Sequence, residues 1–127
     1  MSMFCFQCEQ TAFHKACTQK GVCGKKPDIA NLQDELTSSV IELANCGDIN
    51  DENTKLIIDG LFTTITNVNF DNKSIENLTE KFKNRISCDF KFDVKDIWDC
   101  SEDLRSLKSL ILFGLKGIAA YAYHAWI

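Results

Sequence analysis

Hydrophobic residues recur at helical spacing along most of the chain. After Pro27, steps of three and four residues separate a series of apolar side chains: Ile29, Leu32, Leu36, Val40 and Leu43. This is the period of an amphipathic helix that buries one face. Proline favours the first helical turn and glycine the residue after the last, so Pro27 and Gly47 mark the two ends. The pattern predicts a first helix from Pro27 to about Cys46.

The same periodicity predicts two further helices. The second should run from about Asp51 to Val68, and its apolar face consists of Ile57, Leu61, Ile65 and Val68. The segment 69–72 (NFDN) interrupts it, after which Ser74 and Asn77 are candidate caps for a third helix. The apolar positions of that third helix are Ile75, Leu78, Phe82 and Ile86.

A long final helix is predicted directly after Ser101. Its apolar residues form one stripe that reaches the last residues of the chain: Leu104, Leu107, Ile111, Leu115, Ile118, Ala122 and Trp126. Because this stripe is unbroken up to residue 127, we expect either that the helix end docks into the bundle or that another domain follows. Residues 89–94 alternate between polar and apolar, which predicts an extended connector whose aromatic side chains rest on the bundle.

Together these elements predict an all-α fold. We expect a cysteine-rich loop region at residues 1–27, then a three-helix bundle and a further long C-terminal helix at residues 28–127. A length of 127 residues fits one domain, since domains usually have about 50–250 residues. The two regions should therefore fold as one unit.

Charge and hydropathy exclude several classes of function. The net charge is −4, whereas nucleic-acid binding needs clustered positive charge. No apolar run approaches the length of about 20 residues that spans a bilayer. The first residues lack the basic and apolar regions of a signal peptide. We therefore expect a cytoplasmic protein that binds neither nucleic acid nor membrane.

Seven cysteines, an odd number, stand in this chain. Four of them fall within the first 23 residues with the spacing C-x2-C-x8-C-x5-C: Cys5, Cys8, Cys17 and Cys23. Without an export signal, metal or redox chemistry explains them better than a disulfide scaffold. Four neighbouring thiolates repel one another unless a metal or an iron–sulfur cluster neutralises them. Gly21 and Gly24 would let the backbone approach such a group closely.

Other interpretations of these cysteines stay open. A structural zinc site would use the same four sulfurs, or three of them with His14 as the fourth ligand. Zinc sites usually pair two short knuckles, and the x5 spacing departs from that pattern. Unligated thiols and disulfides are further alternatives. We expect Cys46, Cys88 and Cys100 to be buried or incidental thiols, and His14 to be a loop residue.

Four stretches of the sequence closely resemble the hybrid cluster protein family, also called prismane proteins or hydroxylamine reductases. They follow the family's order and are residues 3–11 (MFCFQCEQT), 17–24 (CTQKGVCG), 61–71 (LFTTITNVNFD) and 106–125 (SLKSLILFGLKGIAAYAYHA). The resemblance implies a helical N-terminal domain that binds a cubane cluster through Cys5, Cys8, Cys17 and Cys23. The spacing here is within one residue of the family's short-spaced class, which implies [4Fe–4S] with [2Fe–2S] as the alternative.

The resemblance also implies an activity. Members of the family reduce hydroxylamine to ammonia with two electrons, and nitric oxide reduction has been proposed for them. Their hybrid Fe–S–O cluster, where reduction occurs, is bound by residues further along a much longer chain, and we find no such residues in these 127. We therefore expect an electron-transfer portion without catalytic residues, whose partners are an electron-donor protein and the remainder of the enzyme. The alternatives are a zinc-binding structural or interaction domain and an autonomous iron–sulfur electron carrier.

Overall fold

A computed structural model describes residues 2–8 and 15–126 of the protein. It contains α1 (Pro27–Cys46), α2 (Asp51–Thr63), α3 (Asn72–Lys83) and α4 (Glu102–Trp126), with a short 3₁₀ helix at Val94–Ile97. The described residues include no β-strand, so the predicted all-α fold is confirmed. None of these helices is long and apolar enough to cross a membrane. The division into residues 1–27 and 28–127 stays a prediction.

Helices α1, α2 and α3 form the predicted three-helix bundle, and α4 packs mainly on α2. Helix α1 begins at Pro27 and ends before Gly47, as the sequence indicates. The side chains in the centre of the bundle are almost fully buried and include Leu36, Leu43, Ile75 and Phe82. A Cβ placed on Gly60 of α2 would lie 2.7 Å from both Phe82 and Val40. Glycine is therefore what allows α2 to approach α1 and α3 closely.

Helix α2 ends earlier than predicted. It stops at Thr63, where the Thr64 hydroxyl donates a hydrogen bond to the Leu61 carbonyl over 2.8 Å. Asn67 then adopts a left-handed backbone with a φ of 65°, which a helix cannot contain. Val68, predicted to be on the buried face, is consequently exposed. Leu61 is buried as predicted, and Asn53 and Leu56 are buried with it.

Helix α3 has a different N-cap from the predicted one. Asp71 rather than Ser74 caps it, because the Asp71 carboxylate accepts hydrogen bonds from the backbone N–H groups of Lys73 and Ser74. The helix ends at Lys83, before Ile86. The following connector is partly as expected, since Phe92 packs against the core whereas Phe90 is exposed.

The long helix α4 begins after Ser101 as predicted, but it buries a different face. The predicted core residues Leu104, Leu107, Ile111, Leu115 and Ile118 are all exposed, Ile118 to 66%. The buried residues are Ser109, Leu112, Lys116 and Ala119. This face is selected by tertiary contacts: the Lys116 ammonium donates a hydrogen bond to the Gln7 side chain in the interior. Hydrophobic periodicity alone does not detect such a polar anchor.

The structure also corrects the expectation for two cysteines. Cys46 at the end of α1 and Cys88 after α3 form a disulfide, with their Cα atoms 5.6 Å apart. They are therefore not incidental thiols, and the bond joins the end of α1 to the segment that follows α3. Cys100 is half-buried, and its thiol donates a hydrogen bond to the Ile97 carbonyl over 3.3 Å.

We predict that substitutions on the two faces of α4 differ strongly in their effect on stability. Ile111→Ser changes an exposed side chain and should alter the free energy of unfolding by less than about 0.5 kcal/mol. Leu112→Ala, one residue further, removes buried methyl groups and should cost about 2–5 kcal/mol. Urea denaturation followed by circular dichroism measures both. Equal losses for the two variants would show that the face containing Ile111 is buried in the isolated chain.

Candidate metal centre

The four N-terminal cysteines line one cavity. Cys5, Cys8, Cys17 and Cys23 surround it together with Gly21, Val22, Lys25 and Thr66. The structure thus brings together every cysteine that the sequence singled out in this region. His14, the alternative fourth ligand, lies outside the described residues. Cys46, Cys88 and Cys100 do not line this cavity.

Backbone hydrogen bonds place the cysteines beside one another. The N–H of Cys5 donates to the carbonyl of Cys17 over 3.1 Å, and the N–H of Met3 donates to the carbonyl of Thr18 over 3.3 Å. These bonds align the first segment of the chain with the segment that carries Cys17. Met3 and Cys17 are buried with Ala30, so the cysteine region is anchored on α1.

A tight turn brings Cys23 back toward the other three cysteines. The Gly21 N–H donates to the Lys25 carbonyl over 2.8 Å, and Gly24 has a φ of 90°. A Cβ on Gly21 would lie 3.1 Å from the Cys23 sulfur and 3.0 Å from the Lys25 Cβ. Any larger residue at position 21 would therefore crowd the edge of the cavity, and glycine avoids this contact.

The donor set fits a metal group held by thiolates, because the four cysteine side chains line the same cavity. The cavity has a volume of about 10 Å³, and among the described residues no three His, Cys, Asp or Glu side chains form a metal-binding group. A larger pocket of about 230 Å³, lined partly by Cys5, Cys8 and Trp98, lies on another side of the first two cysteines.

A buried polar network adjoins the cysteine cavity. The Gln7 side chain donates to the Asp34 carboxylate and accepts from the Lys116 ammonium. The Lys25 ammonium donates to the side-chain oxygen of Gln33. Gln7, Lys25, Gln33 and Lys116 are all buried, and thus the network links the cysteine region to α1 and α4.

Burial shifts the pKa of three groups in this region. It raises the pKa of the Cys5 thiol, while the positive charge of Lys25 acts in the opposite direction. Burial raises the pKa of Asp34 to about 7, against the lowering effects of the Gln7 hydrogen bond and of Lys25 and Lys116. Burial, reinforced by the charge of Lys25, lowers the pKa of Lys116 to about 7. Interactions with Asp34, Cys5 and Cys8 act in the opposite direction and raise the pKa of Lys116.

The sequence pattern did not predict a role at this site for Gln7, Lys25, Asp34 or Lys116. One signal for Lys116 was available, because this lysine interrupts the otherwise apolar and small residues 110–120 (LILFGLKGIAA). Gln7 stands between two predicted ligands, but its partners are 27 and 109 positions away along the chain. Only the folded chain shows that these residues meet.

The shifted pKa of Asp34 predicts a pH dependence of stability in the metal-free protein. Asp34 keeps its proton up to pH about 7 in the folded state but loses it near pH 4 when unfolded. The folded state therefore loses stability as pH rises through this window, by up to about 1.4 kcal/mol per pH unit. The Asp34→Asn variant cannot titrate at this position. The free energy of unfolding of the variant, relative to that of the wild type, should therefore increase from pH 5 to pH 7.

Urea denaturation at pH 5, 6 and 7 measures this difference. Asp99→Asn, which changes an exposed carboxylate, is the control and should not reproduce the trend. A difference between Asp34→Asn and wild type that stays constant over this pH range would contradict the prediction.

Comparison with known proteins gives a consistent match. The Prismane/CO dehydrogenase family matches residues 3–127. Curated relatives named hydroxylamine reductase are 41% identical in Halothermothrix orenii, 38% in Clostridium novyi and 40% in Clostridium perfringens. These alignments cover 98–100% of this chain but only 30–31% of each relative. The chain thus spans about a third of the length of these relatives.

The alignments also contain additional residues of the relatives. The match to the Halothermothrix orenii protein extends over 170 residues, whereas this chain has 127. That relative therefore carries polypeptide with no counterpart here, both within the matched region and outside it.

Proposed function

The chain belongs to the Prismane/CO dehydrogenase family, and on that premise we propose that it is the N-terminal iron–sulfur electron-transfer part of a hydroxylamine reductase. The observation that carries the proposal is the convergence of Cys5, Cys8, Cys17 and Cys23 on one cavity. Four cysteine thiolates are the usual ligand set of a [4Fe–4S] cluster, which we favour over [2Fe–2S]. We further propose a cytoplasmic location and a separate protein as electron donor.

Within this proposal the chain holds and insulates the cluster. When bound, a cluster of this kind accepts and releases single electrons. The turn at Gly21 and Gly24 keeps the backbone close to the cysteines without side-chain obstruction. Phe4 and Phe6 pack against Trp98, with ring centroids 5.0 and 6.3 Å from it. Phe4 and Phe6 flank Cys5 in the chain, so this aromatic group lies beside the proposed cluster site.

The reaction itself belongs to the longer protein. Reduction of hydroxylamine consumes two electrons and two protons and releases ammonia and water. We propose that this chain transfers electrons for that reaction and, as a second candidate reaction, for the reduction of nitric oxide. We propose that the hybrid cluster site lies in the part of the longer enzyme that this chain does not match. We therefore propose that the chain by itself has no hydroxylamine reductase activity.

An exposed apolar surface supports docking onto that remaining part. The outer face of α4 consists of exposed residues along the whole helix: Leu104, Leu107, Leu110, Ile111, Leu115, Ile118 and Tyr121. Gly114 and Gly117 have no atom within 4 Å of the position of a Cβ, so a neighbouring helix can approach closely here. A contiguous apolar surface of this kind marks an interaction site. Because the relatives are about three times longer, we propose that their additional polypeptide covers this face.

Anaerobic reconstitution with iron and sulfide tests the cluster assignment. The purified chain should bind about four iron and four sulfide per molecule, as a cubane requires, and lose most of both in Cys8→Ala or Cys23→Ala. Cys100→Ala, at a cysteine outside the cavity, is the matched control and should retain the full content. Absorption and electron paramagnetic resonance spectra identify the cluster type. A colourless protein with one zinc and no sulfide would instead establish the structural zinc site.

A fusion tests the proposed docking surface. The matched region of the Halothermothrix orenii relative is replaced by this chain, and the product is digested with trypsin. The wild-type fusion should resist cleavage as one unit, whereas Leu107→Asp with Ile111→Asp should be cleaved rapidly, since buried charges oppose docking. Asn77→Asp, on the exposed surface of α3, is the control. Dimerisation of the isolated chain that the same double substitution abolishes would assign the face to a second copy instead.

A further inference from the structure

Two lysines are buried beside the cysteine cavity. Lys25 is 1% exposed and Lys116 is 4% exposed, although lysine is almost never fully buried in proteins unless it is paired. Lys25 lines the cavity together with the four cysteines. Lys116 reaches the same region from α4 and donates to both the side chain and the backbone carbonyl of Gln7, a residue between Cys5 and Cys8.

The charges around these lysines do not balance. Neither lysine forms an ion pair with a carboxylate within the part of the chain that the structure describes. The ammonium groups donate to the neutral amides of Gln33 and Gln7. Asp34, the carboxylate of this network, contacts Gln7. Among the described residues, two lysines share this network with one acidic side chain, so positive charge is in excess whether or not Asp34 holds its proton, in an interior where an uncompensated charge is costly.

We propose that Lys25 and Lys116 compensate the negative charge of a metal centre held by Cys5, Cys8, Cys17 and Cys23. This inference rests on the proposed function, because four thiolates around a metal ion or cluster carry more negative charge than the metal neutralises. The lysines are not ligands. They are positioning residues whose charge stabilises the anionic centre, and Gln7 and Gln33 hold their ammonium groups in place.

The same arrangement predicts an effect on electron transfer. Reduction adds one negative charge to a cluster, and a buried positive charge nearby favours the reduced state. Loss of either lysine should therefore lower the midpoint potential of the reconstituted cluster. Loss of an exposed lysine should leave that potential unchanged, because solvent screens its charge.

Cobalt binding tests the inference without any enzymatic assay. Co²⁺ alone is titrated into the reduced, metal-free chain, and its sulfur-to-metal charge-transfer absorption reports binding. Lys116→Met and Lys25→Met should each weaken Co²⁺ binding by about ten-fold, as expected for loss of one buried charge. Lys108→Met, which removes an exposed lysine from the same helix α4, should bind like wild type. Lys116→Arg keeps the charge and should recover part of the affinity.

Stability and Co²⁺ affinity of the metal-free variants together separate charge compensation from a purely structural role. Replacing either lysine with methionine removes a buried charge and also its hydrogen bond to Gln7 or Gln33, and these two changes act on the urea midpoint in opposite directions, so the Co²⁺ affinity of the folded variant is the deciding measurement. A structural role predicts a lower midpoint and unchanged Co²⁺ affinity in the folded variant, which would overturn the inference. Wild-type affinity in both methionine variants would also overturn it and leave the proposed function intact. Failure of the wild-type chain itself to bind Co²⁺ would overturn the proposed function and the inference together.

Discussion

The first cysteine-bearing segment is held between α1 and α4 by the hydrogen bonds of one side chain, Gln7. Its amide donates to Asp34 on α1, and its oxygen accepts from Lys116 on α4 and from Thr37 over 3.3 Å. A buried amide left without partners costs about 1–3 kcal/mol, so the first segment of the chain is held between the two helices. Because Gln7 stands between Cys5 and Cys8, the same bonds orient both thiols toward the cavity.

This constraint also explains the orientation of α4. Lys116 can reach Gln7 only if its face of the helix points inward, and this places Ser109, Leu112 and Ala119 in the interior as well. The more hydrophobic stripe then faces outward. Normally the apolar face of a helix is the buried one. The reversal is intelligible if additional polypeptide covers the outer face in the longer family members, because both faces of the helix then contact protein.

Predictions from the sequence were accurate where residues close together in the chain determine the position of a helix. Pro27 and Gly47 correctly bounded α1, and the helical period located all four helices. Predictions failed where two local signals competed, as at the start of α3, where Asp71 was the better cap. They also failed where partners are distant in sequence: the Cys46–Cys88 disulfide joins residues 42 positions apart, and no spacing rule connects them.

The sequence by itself determined the helical class, the approximate helix positions and the four cysteines that form the candidate metal centre. Those features depend on periodicity, turn residues and spacing, which act over a few residues. Only the tertiary structure decided which face of α4 is buried, that Cys46 and Cys88 are joined, that Lys25 is buried at the cysteine cavity, and that Lys116 reaches the same region from α4. These features depend on the cost of burying charge and amide groups, which is known only when the distant partners are in place.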